Sequence, residues 1–427
     1  MKVAVVGAGS TYTPELVSGL SAQGERLDVT ELHLHDVDAG RLEVVGGLAA
    51  RMLDRQGYGG ELVLTGDLDR AVEGADAVLI QIRVGGQAAR LSDETVPLQC
   101  GCIGQETTGA GGLAKALRTV PVVLDIAERV RELAAPDAWI VDFTNPVGIV
   151  TRALLDAGHR AIGLCNVAIG FQRAMAPMLG VEPDRLVVDQ VGLNHLTWVR
   201  AVRLDDRDVL PELMASHGDE LAEHAGLPRR LLDELGAVPS YYLRYFYAHD
   251  EVLAEQLSGA TPRAQTVAEI ERELLAMYAD PALTSKPALL EQRGGAFYSE
   301  AATRLVGSLV AADGAVHVVD VRNGDTIAGL APDDVVEVPA RVDAGGARPL
   351  EQPPLAPELI GLVAHVAAYE RLAARAAIEG SPSLTRKALL AHPLVGQWSP
   401  AQELFERLLD ADVEHLPRFA DASGARR

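Results

Sequence analysis

Cysteine is almost absent from this chain. Only Cys100, Cys102 and Cys165 occur in 427 residues. An odd count with one Cys-x-Cys pair gives no disulfide framework and fits a reducing compartment. Aromatic residues are also scarce, at 4%. Ala, Gly, Val and Leu dominate, so the core must be mostly aliphatic, as buried parallel sheets tend to be. No apolar run approaches the roughly 20 residues that span a bilayer. The opening "MKVAVVGAGS" is too short and too rich in glycine for the apolar core of a signal peptide. A cytoplasmic protein with no membrane partner is expected. Positive charge is in deficit: 38 Lys and Arg face 60 Asp and Glu, a formal net charge of -22. Such a field repels nucleic acid, and an anionic small molecule would need a local basic pocket to bind against it.

What is present is ordinary for a globular enzyme, with 48% hydrophobic and 23% charged residues. The length favours two closely packed domains. Over residues 1–170, short β-branched runs alternate with longer amphipathic segments, the mark of βαβ units. "KVAVVG", "ELHLHD", "LVLTGD", "DAVLIQIRVGG", "AWIVDFTNP" and "AIGLCN" read as strands, with "DAVLIQIRVGG" the clearest central one. "TPELVSGLSA", "RLEVVGGLAARMLDRQ", "AKALRTVPVVLDIAERVREL" and "VGIVTRALLDAG" read as helices. From about residue 185 the pattern changes. "RLVVDQVGLNHLTWVRAVRL" alternates like antiparallel strands, long helical stretches follow, and "GAVHVVDVRNGDTIAGLAPDDVVEVPARV" returns to strand. The expected fold is therefore α/β. A Rossmann-like, doubly wound parallel sheet over residues 1–170 precedes an α+β substrate, metal and oligomerisation domain over 171–427.

The first strand runs into Gly7, Gly9 and Ser10 and then a helix. Gly7 suits the tight turn and Gly9 the close approach of a pyrophosphate, with helix N–H groups behind them. Tyr12 stands at the third fingerprint position, where glycine is usual. Asp36 ends the second strand and can bond a ribose, favouring NAD over NADP, although it lies further on than the usual spacing. Four more segments place polar residues beyond strand ends, where open α/β sheets bind ligands. They are a loop with Arg83 and Arg90, a glycine-rich loop with Gln105, Glu106 and Thr107, the Thr144-Asn145 turn, and Cys165-Asn166. Taken singly, each has a plain reading as a solvated, turn-forming or buried residue. His195 in "GLNHLTW" lies among apolar neighbours and by itself reads as a core histidine. Paired with Cys165, it could fill two positions of an open divalent-metal site. "VPSYYLRYFYAHDE" holds a run of tyrosines, either a core stripe or, beside a metal, a source of a general base.

With these stretches together, the chain resembles the NAD- and divalent-metal-dependent glycoside hydrolases of family 4, most of all their 6-phospho-β-glucosidase branch. The likeness rests on "GAGSTYTPELV", "QIRVGGQAAR", "GCIGQETTGAGGLAKALRTVPV", "FTNPVGIVT", "GLCNVAIG", "GLNHLTWV" and "SYYLRYFY". The resemblance implies that Gly7, Gly9 and Ser10 hold NAD+, with Asp36 and Arg83 on the same cofactor. It implies that Cys165 and His195 bind Mn2+ or a similar ion. Arg90, Asn145 and Asn166 are then expected at the sugar and Arg263 at its phosphate. Tyr242 is the expected base, with Tyr241 beside it as the alternative. Asn166 stands where members acting on α-glycosides tend to carry an aspartate, so β-glycosides are implied.

The implied chemistry is oxidation at C3, deprotonation at C2, elimination of the aglycone, water addition and re-reduction, which releases glucose 6-phosphate. It needs no paired-carboxylate site. A homo-oligomer, dimer or tetramer, is expected. Two other readings share the first domain: an NAD-dependent 2-hydroxy-acid dehydrogenase of the lactate/malate type, with His195 as proton relay, and a non-catalytic NAD- or sugar-binding regulator.

Overall fold

The computed structural model describes residues 1–22, 27–295 and 297–420. Its frame is one sheet in which thirteen strands are seen among the described residues. Six parallel strands come first: β1 (Lys2–Val6), β2 (Glu31–His35), β3 (Glu61–Thr65), β4 (Ala77–Ile80), β5 (Trp139–Asp142) and β6 (Ala161–Gly163). They lie in the order β3-β2-β1-β4-β5-β6, so the chain reverses direction between β1 and β4. That reversal opens a crevice at the carboxyl ends of the strands. Val3, Val5, Val78, Leu79, Val141 and Ile162 are essentially fully buried, because helices cover both faces, as parallel sheets require.

The later strands are β7 (Leu186–Leu193), β8 (Leu196–Leu204), β9 (Arg207–Asp208), β10 (Val238–Pro239), β11 (Val316–Arg322), β12 (Val335–Asp343) and β13 (Gly346–Pro349). They do not form a separate sheet. Asp320 of β11 pairs antiparallel with Gly163 of β6, and Glu337 of β12 with Gly192 of β7. Both halves of the chain therefore share one sheet and one continuous apolar core. Among the described residues no helix is long and apolar enough to cross a membrane.

Most elements fall where periodicity places them, with three departures in the parallel half. The strand read from "DAVLIQIRVGG" stops at Ile80. Beyond it the Gln81 side chain turns back to Gly7 O (3.3 Å) and Thr13 Oγ1 (2.8 Å). The segment after it is not a loop throughout. Gly86–Gln99 is a helix whose Gly85 cap (φ 78) and internal Pro97 mask the pattern, so Arg90 is helical. The glycine-rich stretch also becomes helix early, at Gly109, because the Gln105 side chain accepts from Thr108 N (2.7 Å) and Thr107 Oγ1 (2.9 Å) and fixes the approach.

Candidate active site

The crevice begins at the turn after β1. Gly7 has φ 91, and a Cβ there would lie 2.8 Å from Gln81 O, so only glycine fits. The amide N–H groups of Gly7 and Ala8 both donate to His35 O. Gly9 donates to Asp36 Oδ2 at 2.7 Å, and a Cβ on Gly9 would lie 2.8 Å from that oxygen. The long sequence gap between Gly9 and Asp36 is closed by parallel pairing of β1 with β2. Tyr12, in place of the third glycine, is buried and meets Tyr298 edge-on at 6.3 Å.

Next to the turn lies a charged network. Glu106 is its centre: Arg83 contacts one side, Lys115 Nζ donates at 2.6 Å and Arg90 Nε lies 3.1 Å away. Arg90 also binds Glu94 at 2.7 Å. Burial alone would raise the Glu106 carboxyl, but Arg83, Lys115 and Arg90 hold it well below the usual carboxylate range. Burial, with Arg83 beside it, pushes Lys115 down to about 7. Arg263 opens the helix Arg263–Tyr278 and donates to the carbonyl oxygens of Gln292 (2.7 Å) and Arg293 (3.2 Å). Burial and then Arg90 lower its pKa, which puts the two guanidinium groups within each other's field. Glu271 bridges Arg293 (3.1 Å) and Arg41 (3.6 Å).

Arg41, Arg83, Arg90, Lys115, Arg263 and Arg293 thus face Glu94, Glu106, Glu271 and Asp36. The cluster gathers five guanidinium groups, inside a chain whose net charge is -22.

The third group sits beyond β5 and β6. Thr144 Oγ1 donates to Ile80 O (3.1 Å) and accepts from Ile82 N (3.2 Å), which locks the turn before Asn145. The Asn145–Pro146 peptide is cis, and Asn145 Oδ1 is buried with no partner among the described residues. Cys165 lies two residues past β6 and is 4% exposed. Burial pushes its thiol up, Glu337 and Asp320 add to that, and the Val167 N–H and Asn194 side chain oppose it. Asn166 caps the helix Val167–Leu179 through its backbone.

His195 is not within a strand, as its apolar neighbours suggested. With Asn194 it forms the two-residue turn between β7 and β8, at φ 63. Its ring meets Tyr242, which lies within the field of Cys165. His195 Nδ1 meets Thr107 Oγ1 at 2.9 Å, and burial, then Lys115, pushes its pKa down to about 3. The ring is therefore neutral at physiological pH. Tyr242 stacks on it, with ring centroids 3.5 Å apart and planes 8° from parallel. Burial, Cys165, Tyr245 and Glu106 push the Tyr242 phenol well above 10, against Arg90. Tyr241 points elsewhere, 44% exposed and bonded to Arg244. Tyr298 stacks on Phe143 at 5.7 Å, and burial, with Cys165 beside it, pushes its phenol well above its ordinary value.

This donor set suits a divalent ion. A thiol and a neutral imidazole whose Nδ1 is already engaged offer one sulfur and one nitrogen. Among the described residues no three His, Cys, Asp or Glu gather as a ligand set. The remaining positions would fall to substrate or water, the form of an open catalytic site.

The crevice thus brings the glycine turn, Asp36, Arg83, Arg90, Arg263, Asn145, Cys165, His195 and Tyr242 to the same end of the sheet. Glu106 and Thr107 lie in a loop the sequence singles out, without their roles as charge centre and partner of His195, whereas Arg293, Glu271 and Tyr298 are not legible as site residues in the sequence. The one available signal is "QRGGAFYSE", where a glycine pair between an arginine and aromatics interrupts helical patterning.

Residues 2–181 match the family 4 glycosyl hydrolases, and residues 190–395 match the C-terminal domain of family 4 glycosyl hydrolases. The chain is 38% identical to a probable 6-phospho-beta-glucosidase of Bacillus subtilis, over 98% of each chain. It is 36% identical to a 6-phospho-beta-glucosidase of Escherichia coli, over 99% of this chain and 97% of that one. The 6-phospho-beta glucosidase of Thermotoga maritima, solved with manganese, NAD+ and glucose-6-phosphate, superposes with a TM-score of 0.89 at 33% identity. That match covers 97% of this chain and 99% of the other. The chain belongs to family 4 of the glycosyl hydrolases.

Proposed function

We propose that the protein is a 6-phospho-β-glucosidase that uses NAD+ and a divalent ion, Mn2+ or a close equivalent. The observation that carries the site reading is the stack of the half-buried Tyr242 on the buried His195 beside Cys165, at the end of the sheet that also holds the glycine turn. Gly7, Gly9, Ser10, Asp36 and Arg83 hold the dinucleotide. Cys165 and His195 hold the ion, with Thr107 fixing the imidazole through Nδ1. When bound, NAD+ would supply reversible hydride acceptance at C3 of the sugar, and the ion would supply Lewis acidity at the sugar oxygens.

The remaining work falls to the chain's own side chains. Arg90 and Asn145 orient the sugar, and Arg263 binds the 6-phosphate; a guanidinium suits a phosphate through paired hydrogen bonds. Tyr242 takes the proton from C2. Burial keeps its phenol protonated, and a nearby positive charge is what brings such a group into working range. Asn166 has no proton to give a leaving group, which fits a β-linked substrate. Residues 1–170 serve the cofactor and residues 171–427 the substrate and self-association. A sugar phosphate is a dianion that does not cross a bilayer unaided, so the enzyme works in the cytoplasm, as a homo-oligomer.

The test is a panel of aryl glycosides, α or β, with and without 6-phosphate, assayed with and without NAD+ and Mn2+. Cleavage of the 6-phospho-β-glycoside alone, dependent on both additions and without net NADH, is expected. Net NADH from a 2-hydroxy acid would instead point to a dehydrogenase, and nucleotide binding without any turnover to a regulator.

A further inference from the structure

Two guanidinium groups of the charged network, Arg41 and Arg293, have no assigned task, and Arg293 lies on a segment nearly 300 residues from the glycine turn. Arg293 ends the short helix Leu290–Arg293. Its Nε donates to Thr11 Oγ1 at 2.7 Å, and one terminal nitrogen lies 3.4 Å from Ser10 Oγ and 3.1 Å from Glu271 Oε1. Its Cζ stands 5.9 Å from the Tyr12 ring centroid. The side chain is 16% exposed, so it is fixed at the mouth of the turn, not free in solvent.

A guanidinium held this far out of solvent needs a reason to be there, because desolvating it is costly unless its hydrogen bonds and charge are met. Glu271 meets only part of this. Its carboxylate is shared with Arg41 at 3.6 Å and accepts from Thr11 Oγ1 at 3.5 Å. Two cations thus share one anion beside a turn whose Gly7, Ala8 and Gly9 N–H groups are already given to His35 O and Asp36 Oδ2. Glycine turns of this kind usually meet a pyrophosphate with N–H groups alone. Here Tyr12 replaces the third glycine, and Arg293 packs over it.

Resting on the NAD+ reading above, we propose that Arg293 is a cofactor-binding residue: its guanidinium, aligned by Glu271, takes one of the negative charges of the dinucleotide pyrophosphate at Ser10. Arg263 donates to the backbone carbonyls of Gln292 and of Arg293 itself. The cofactor end and the expected sugar-phosphate end are therefore joined through one short helix. The family fingerprint in the first strand-turn-helix does not contain this contact, since the arginine comes from the other half of the chain.

The experiment measures NAD+ and glucose 6-phosphate affinities separately, by calorimetry or cofactor fluorescence, on full-length wild type, Arg293→Gln and Arg293→Lys. Loss of a charge-assisted contact should weaken NAD+ binding roughly ten- to hundredfold in Arg293→Gln, with an intermediate effect in Arg293→Lys. Glucose 6-phosphate affinity should change less than threefold, and NAD+ should raise the melting temperature of wild type but not of Arg293→Gln. If Arg293→Gln does not fold, Arg293→Lys decides alone, since it keeps the charge but loses the planar fork. NAD+ affinity within twofold of wild type in the folded variants overturns the assignment. So does an equal loss of both ligands, which would mark Arg293 as a structural strut. If wild type itself binds no NAD+, the proposed function fails, and that result is distinct from either of these.

Discussion

Replacing Glu106 with glutamine tests the electrostatic construction of the site most directly. The substitution keeps size and shape but removes the anion that Arg83, Arg90 and Lys115 share. At about 3 Å and an effective dielectric of about 20, each contact is worth about 5 kcal/mol before desolvation. Burial of the ions cancels most of that gain. Removal of one partner from such a set leaves uncompensated charge and costs roughly 3–5 kcal/mol. The three stranded cations are not equivalent. The arginines cannot lose a proton, whereas Lys115 already sits near 7. In the variant Lys115 deprotonates in the folded state while the unfolded chain keeps it protonated to about 10.4. The unfolded state then binds more protons, so the variant's stability rises with pH across that window.

Urea unfolding at pH 6.0 and pH 8.5, followed by tryptophan fluorescence, should show a loss of about 3–5 kcal/mol at the lower pH. The loss should be about 1–2 kcal/mol smaller at the higher pH. The affinity for a phosphorylated sugar should also fall, since Arg90 loses its alignment. A loss under about 1 kcal/mol at both pH values, or a larger loss at pH 8.5, would refute the picture of a buried charge centre.

Three further outcomes are expected. Tyr242→Phe should lower kcat by roughly 10²- to 10⁴-fold with little change in KM, while Tyr241→Phe stays within a fewfold of wild type; steady-state kinetics on an aryl substrate separates the two. Cys165→Ser should abolish Mn2+-dependent turnover and leave the NAD+ dissociation constant unchanged, and retained turnover would remove Cys165 from the ligand set. Asp142 has no opposing charge, and burial raises it to about 8 despite its hydrogen bonds from Thr144. Its contribution to stability is full below about 3.8 and is lost as pH rises through about 8. Asp142→Asn should therefore flatten the fall in stability between pH 5 and pH 8, with melting curves across that range as the measure.

Much of the fold is legible in the chain because its signals are local. β1, the Gly7–Ser10 turn and the following helix are contiguous, and each strand of the parallel half is a short apolar run with turn residues at its end. The Cys165 position is legible for the same reason: a strand end in an open α/β sheet opens onto the crevice. The helix holding Arg90 is not, because Gly85, Gly86 and Pro97 hide its periodicity. His195 is misplaced by its apolar neighbours, since a two-residue hairpin turn leaves the alternation on either side almost intact.

Taken alone, the sequence determines an aliphatic α/β chain with a dinucleotide turn, an acidic exterior and a cysteine at a strand mouth, and its motifs together point to family 4. Only the tertiary structure decides which of those residues meet. It folds β7 and β8 back so that His195 lies under Tyr242. It also joins β11 to β6, which makes both halves one sheet, and brings Arg293 onto Ser10 and Thr11. These contacts span tens to hundreds of residues and depend on strand order and register. Neither quantity is written in any single stretch, because each arises from burying all the apolar faces at once.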